Sequence, residues 1–199
     1  MSLFSLTITM FLIMNSVGHL SAFVTLMRRV PEAKRAQVLA RELLVALGIM
    51  IFFHFFGELL LNALGVSAST VQLSSGIVLF LIAVRMIFPH ESYEQNLGSG
   101  EPFIVPLATP MIAGPSILAT IMLYAYTESS ESKVLLAIMV AWSLSAIIFG
   151  LSLRFKPYLN ERVLTAAERL MGLILSLIAV EMALQGLRLF VKASAYAAL

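Results

Sequence analysis

The chain has 199 residues, of which 60% are hydrophobic and only 12% charged, with a mean hydropathy of +0.96. A soluble domain is about one-quarter charged, so this composition excludes a water-soluble fold and predicts a polytopic, all-α membrane protein in contact with the lipid bilayer. The net charge of +2 gives no basic face for nucleic acid, and the absence of cysteine excludes disulfides, thiolate metal sites and thiol relays.

Six spans follow in chain order, at about 3–27, 43–64, 71–88, 103–126, 134–153 and 169–191. Each approaches the length needed to cross roughly 30 Å of hydrocarbon. The first lacks a basic leader and reads as a transmembrane helix, not a cleaved signal. It is interrupted by Asn15-Ser16-Val17-Gly18. The second carries His54, Glu58 and Asn62 on one helical face. An intramembrane charge costs roughly 2.5–3.5 kcal/mol or more at the centre, so this stripe is expected to face protein or water. It reads either as a proton-coupling site, with His54 and Glu58 titrating, or as a hydrogen-bonded packing pair.

The third span ends near Arg85. A polar connector, 89–102, leads to the fourth span, which is broken by the block from Pro106 to Pro115. Pro110 and Pro115 each remove a backbone donor and crowd the preceding turn. Irregular backbone at membrane depth is tolerated only beside protein or a polar cavity. Half-helices are expected to begin at about residues 19 and 115, offering unpaired N–H groups and a positive dipole end.

Basic residues divide by side. Arg28, Arg29, Lys34, Arg35 and Arg41 lie between spans 1 and 2, and Arg154, Lys156, Arg162 and Arg169 between spans 5 and 6. The other side holds Lys133, Arg188 and Lys192. The positive-inside rule therefore places both termini outside the cytoplasm.

The segment from Gly76 to Met86 resembles that from Gly172 to Met182, and Gly18 precedes Gly114 by the same 96 residues. Three spans per half, about 1–90 and 101–192, make a single integral membrane domain of two inverted three-helix repeats, with helices 1 and 4 broken. Matched breaks in inverted halves point to a transporter-type site for a small solute bearing a carboxylate. The candidate binding residues are Asn15, Gly18, His19, Thr109, Pro110, Gly114, Pro115, Ser116 and Thr120. His54 and Glu58 are the candidate coupling groups, with the proton as one candidate ion; the sequence does not fix the coupling ion. Arg85 and Glu181 occupy equivalent repeat positions. Inversion sets them at different depths, leaving Glu181 a buried polar candidate without an assigned partner.

No Gly-x-Ser-x-Gly, His-Glu-x-x-His, P-loop or dinucleotide fingerprint is present, so no enzyme activity, metal or cofactor is expected. Gly48, Gly57 and Gly150 suit close helix contacts within or between subunits, compatible with a homo-oligomer. A non-transporting membrane scaffold or assembly factor is the alternative reading. In it the breaks serve as contact sites for a partner helix.

The motifs carry a resemblance. Pro106-Leu107-Ala108, Pro110 and Ala113-Gly114-Pro115, preceded by Glu101-Pro102-Phe103, are similar to the MarC family of bacterial integral membrane proteins. Arg169 to Leu175, Arg41-Glu42 and Gly76-Ile77 also match. The family's first break carries Asn or Asp, then Pro, any residue and Gly; here Ser16 stands in place of the proline. That departure implies a softer first kink. The resemblance implies a bacterial inner-membrane location, and its likeness to six-span lysine and homoserine exporters implies efflux of an amino-acid-like metabolite.

Overall fold

A computed structural model describes residues 2–28, 30–88, 112–128, 130–154 and 161–197, with side chains of the last segment described over 162–192. The connector 89–102 and the candidate residues Thr109 and Pro110 lie outside the described residues. Among the described residues there are seven helices and no strand.

Helix α1 (Leu3–Met14) starts where the Ser2 hydroxyl accepts the Ser5 N–H at 3.1 Å. It stops at Asn15, which adopts the left-handed conformation (φ 52°) and donates its N–H back to Leu12 and Phe11 carbonyls. Asparagine is among the few non-glycine residues that visit this region readily. One irregular turn later, α2 (Leu20–Arg28) continues towards the basic loop. The segment read from sequence as the first span therefore consists of two helices, α1 and α2, separated by an irregular turn that contains Ser16.

Helix α3 (Glu32–Leu64) follows Pro31 and ends at Gly65 (φ 64°), where Gly65 and Val66 donate to the carbonyls of Asn62 and Leu61. This glycine-terminated cap satisfies carbonyls that the helix end would otherwise orphan. Ser67 caps α4 (Ala68–Ile87) through the Thr70 N–H. Helix α5 (Pro115–Thr127) begins with proline in its first turn, where no donor is lost. Helix α6 (Glu131–Arg154) has an acid at its start and a base at its end, both complementing its dipole. Helix α7 runs over Glu161–Ala197. Four helices, α3, α4, α6 and α7, are long and apolar enough to cross a membrane, whereas α1 and α5 are shorter apolar helices. The long helices overrun the predicted spans because polar turns, such as Glu32–Arg41 at the start of α3, extend them beyond hydrocarbon depth.

The outside of the bundle is as apolar as its inside. Phe52, Phe55, Phe56, Leu177 and Leu81 are exposed, while Leu6, Met10, Phe23, Leu79, Ile121 and Leu175 fill the core. Lipid removes the hydrophobic drive to join helices, so close packing of small residues must supply it. The most extensive helix contact, between α4 and α7, is built this way. A methyl group on Gly76 would fall 2.6 Å from the Ala183 nitrogen and 2.7 Å from the Ala179 carbonyl oxygen. One on Gly172 would fall 3.0 Å from the Ala83 carbonyl oxygen, and one on Gly186 would fall 2.6 Å from the Leu73 nitrogen. Rising residue numbers on α4 meet falling numbers on α7, so the two helices run antiparallel.

Side chains pin the remaining helices. Trp142 Nε1 donates to the Leu43 carbonyl at 2.9 Å, joining α6 to α3. Gln72 Nε2 donates to Gln185 Oε1 at 2.9 Å, joining α4 to α7. The Ser21 hydroxyl donates to Glu168 Oε2 at 2.6 Å, joining α2 to α7.

One sequence expectation is corrected here. Glu181 is exposed, not buried, and its Oε1 accepts from Gln185 Nε2 at 2.9 Å. A helix of this length has an outward face that hydrophobic pattern alone does not separate from its inward one. The antiparallel packing also separates Glu181 from Arg85. Arg85 lies near the level of Gly172, nine residues or roughly 13 Å of helix away.

Candidate functional site

Three helix ends meet in the interior. Ile13, Met14 and Asn15 end α1, His19 precedes α2, and Gly114, Ser116 and Ile117 begin α5. Together with Leu79, Ile82, Ile112 and Leu175 they line one cavity of about 20 Å³. That is room for a single water, which needs at least ~10–15 Å³. The carbonyl end of α1 thus approaches the same space as the starts of α2 and α5, but the His19 and Leu20 N–H groups already donate to the Asn15 and Val17 carbonyls at 3.0 and 3.3 Å, so the unpaired donors expected at about residue 19 are partly satisfied within the break. A cavity framed this way presents acceptors on one wall and donors on another.

Asn15 is the centre of the arrangement. Its side chain is 1% exposed and folds over Gly18, where a methyl group would run into Met86 Cε and Asn15 Oδ1. Only a residue without Cβ leaves that room. Asn15 Nδ2 donates to Met86 Sδ at 2.9 Å, while Asn15 Oδ1 and the neighbouring Ser16 Oγ are buried without a hydrogen-bond partner among the described residues. A buried acceptor left unmade costs about 1–3 kcal/mol.

The structure places the sequence-predicted residues unequally. Asn15, His19, Gly114 and Ser116 line the cavity, and Gly18 supports it from beneath the Asn15 side chain. Thr120 is buried one turn into α5, with its hydroxyl donated to the Ser116 carbonyl at 2.7 Å. Pro115 is exposed at the helix start. His54 is buried, its Nδ1 without a partner among the described residues, but it does not line the cavity. Glu58 and Asn62 are exposed further along α3. The helical stripe therefore divides, with the imidazole inside and the carboxylate and amide outside.

Two polar residues escaped the sequence reading. The Glu42 side chain is fully buried, with Oε1 held by Arg41 at 2.8 and 3.0 Å and Oε2 unpartnered among the described residues. The signal was an acid placed at the very start of an apolar run beside an arginine. Met86 was visible only as the end of the repeated segment, and nothing in that segment says that its sulfur would accept from Asn15. Among the described residues no cluster of three or more His, Asp or Glu is grouped to hold a metal ion.

Comparison with known proteins adds the lineage. The family model for MarC family integral membrane proteins matches residues 1–191. The inner membrane protein YhgN of Escherichia coli strain K12 is 42% identical over 94% of this chain and 97% of its own length. A membrane protein of Buchnera aphidicola from Schizaphis graminum is 40% identical, with 94% and 97% covered. One from Chlamydia muridarum is 34% identical, with 89% of each chain covered. No solved structure matches.

Proposed function

The chain belongs to the MarC family of integral membrane proteins, and on that premise we propose that it is a secondary transporter, exporting a small, amino-acid-like metabolite that bears a carboxylate. The observation that carries the reading is the single cavity lined from both breaks, by Asn15 and His19 on one side and Gly114 and Ser116 on the other. The amide end of α5 suits a carboxylate, and the unpartnered Asn15 Oδ1 suits a donor such as an ammonium group. At about 20 Å³ the cavity is too small for such a solute. The structure then corresponds to a closed form that opens by parting the half-helices from α4 and α7.

The proposed architecture is six spans in two inverted halves, with both termini outside the cytoplasm. Helices α1 and α2 make the first span, and α5 completes the fourth. The helix contacts support it. Gly76 meets Ala179 and Ala183, while Gly172 meets Ala83 and Ile87. Each of these partners is the other's counterpart at an offset of 96 residues, the offset of the sequence repeat. Antiparallel α4 and α7 are what inversion about an axis in the membrane plane requires.

Thermal unfolding of the detergent-purified protein against amino acids and small carboxylates tests the reading. A ligand of the folded state at a hundred times its dissociation constant adds about 2.7 kcal/mol. Stabilisation that disappears in Asn15→Leu and Gly114→Leu is the expected result. Undiminished export by a correctly inserted Gly114→Leu protein overturns the proposal.

A further inference from the structure

At the basic end of the bundle an open groove of about 490 Å³ runs between α3 and α6. Its walls are Ala40 and Leu43 on one side and Gly150 and Leu153 on the other, with the Arg154 side chain at the end of α6. Gly150 leaves its part of the α6 wall without a side chain. A methyl group built there meets nothing within 4 Å. On the membrane side of the groove, Trp142 fastens α6 to α3 through the Leu43 carbonyl, which fixes the two walls relative to one another at that end.

We infer that this groove binds one anionic phospholipid, with an acyl chain between α3 and α6 and its phosphate on Arg154. Three features select this occupant. The groove, about 490 Å³ and open along one side, has room for an extended apolar chain. The walls are apolar, which a soluble anion would not favour. The charged residue among the lining side chains is a guanidinium, whose planar fork matches phosphate oxygens. Depth agrees as well. Leu43 and Leu153 stand at the predicted membrane boundary, whereas Lys34, Arg35 and Arg41 extend beyond it on α3, where headgroups lie. Basic pockets between helices at this level recognise anionic headgroups.

The test is native mass spectrometry of the full-length, delipidated protein titrated with dioleoyl phosphatidylglycerol, dioleoyl phosphatidylcholine or glycerol 3-phosphate. The first phosphatidylglycerol is expected to bind about fivefold more tightly than phosphatidylcholine, the gain of one basic residue at the surface. Arg154→Gln should erase that preference while keeping chain binding. Gly150→Leu should weaken both lipids, and its side chain enters open space, so folding is expected to survive. Ala40→Leu fills the groove from the opposite wall and gives the same readout. Equal affinity for the two lipids in the parent protein overturns the inference. So does unchanged lipid binding in both filling variants. Glycerol 3-phosphate competing as well as the intact lipid would instead identify a soluble-phosphate site. None of these readouts depends on solute export, so failure here leaves the transport proposal standing.

Discussion

Gly76→Ala tests whether α4 and α7 are held by backbone contact. The added methyl would lie 2.6 Å from the Ala183 nitrogen and 2.7 Å from the Ala179 carbonyl oxygen, where ordinary contact begins at 3.4 Å. Both obstacles are backbone atoms and cannot rotate away. The helices must part by roughly 0.7 Å, and a gap of 0.5–1 Å forfeits about a quarter to a half of each dispersion contact along the seam. Overpacking of this kind costs about 1–3 kcal/mol, offset by up to ~1 kcal/mol of better helix propensity. A net loss of about 1–2 kcal/mol is expected. At Gly172 the nearest atoms lie at 3.0 Å, and two of the three belong to side chains, so Gly172→Ala should cost under ~1 kcal/mol. Gly48 has nothing within 4 Å, and Gly48→Ala should be neutral or gain a few tenths of a kcal/mol, on the order of its propensity difference. Equilibrium unfolding in mixed micelles, followed by fluorescence of the one tryptophan in the chain, ranks all three. A Gly76→Ala protein as stable as Gly48→Ala refutes the backbone-contact account.

Gly18→Ala should destabilise by about 1–3 kcal/mol, because the methyl meets Met86 and the Asn15 amide. Met86→Ala alone removes a buried side chain and the Asn15 acceptor and should cost about 2–5 kcal/mol, but in its background Gly18→Ala should cost less than in the parent, since one obstacle is gone; an undiminished cost in a double-mutant cycle would show that Met86 is not the constraint. Trp142→Phe removes the donor to the Leu43 carbonyl and should cost about 1 kcal/mol, read by chemical unfolding with a probe other than tryptophan. The chain has no cysteine, so Ser2→Cys offers a single thiol. A membrane-impermeant maleimide added to intact cells should label it, and labelling only after permeabilisation would reverse the proposed orientation.

Helices were the legible part of this chain. Lipid forces the backbone to satisfy itself, so apolar runs and their Pro, Gly and Ser punctuation locate α3, α4, α6 and α7, and Pro115 marks the start of α5. Asn15 and Gly18 likewise announce a break, because few other residues accept what that backbone needs. Facing was much less legible. When lipid and core are equally apolar, the usual inside-outside contrast vanishes. Glu181 therefore read as buried, and the stripe of His54, Glu58 and Asn62 read as one surface although the structure divides it. Partners across helices were not legible at all. The Asn15–Met86 and Ser21–Glu168 bonds span 71 and 147 residues, and no local pattern encodes which turn of one helix lies against which turn of another.

The seam between α4 and α7 also limits how the protein can move. Gly76 and Gly186 each receive backbone atoms of the opposite helix within 2.6 Å of where a methyl would lie, and Gly172 receives the Ala83 carbonyl oxygen at 3.0 Å. Sliding α7 along α4 would take all three glycines off these close approaches at once, so translation costs packing along the whole seam. Swivelling about the seam keeps each glycine over its partner. Under the proposed transport cycle the pair would serve as an axle, stiff along its length and free to rock, with the half-helices α1, α2 and α5 as the parts that swing.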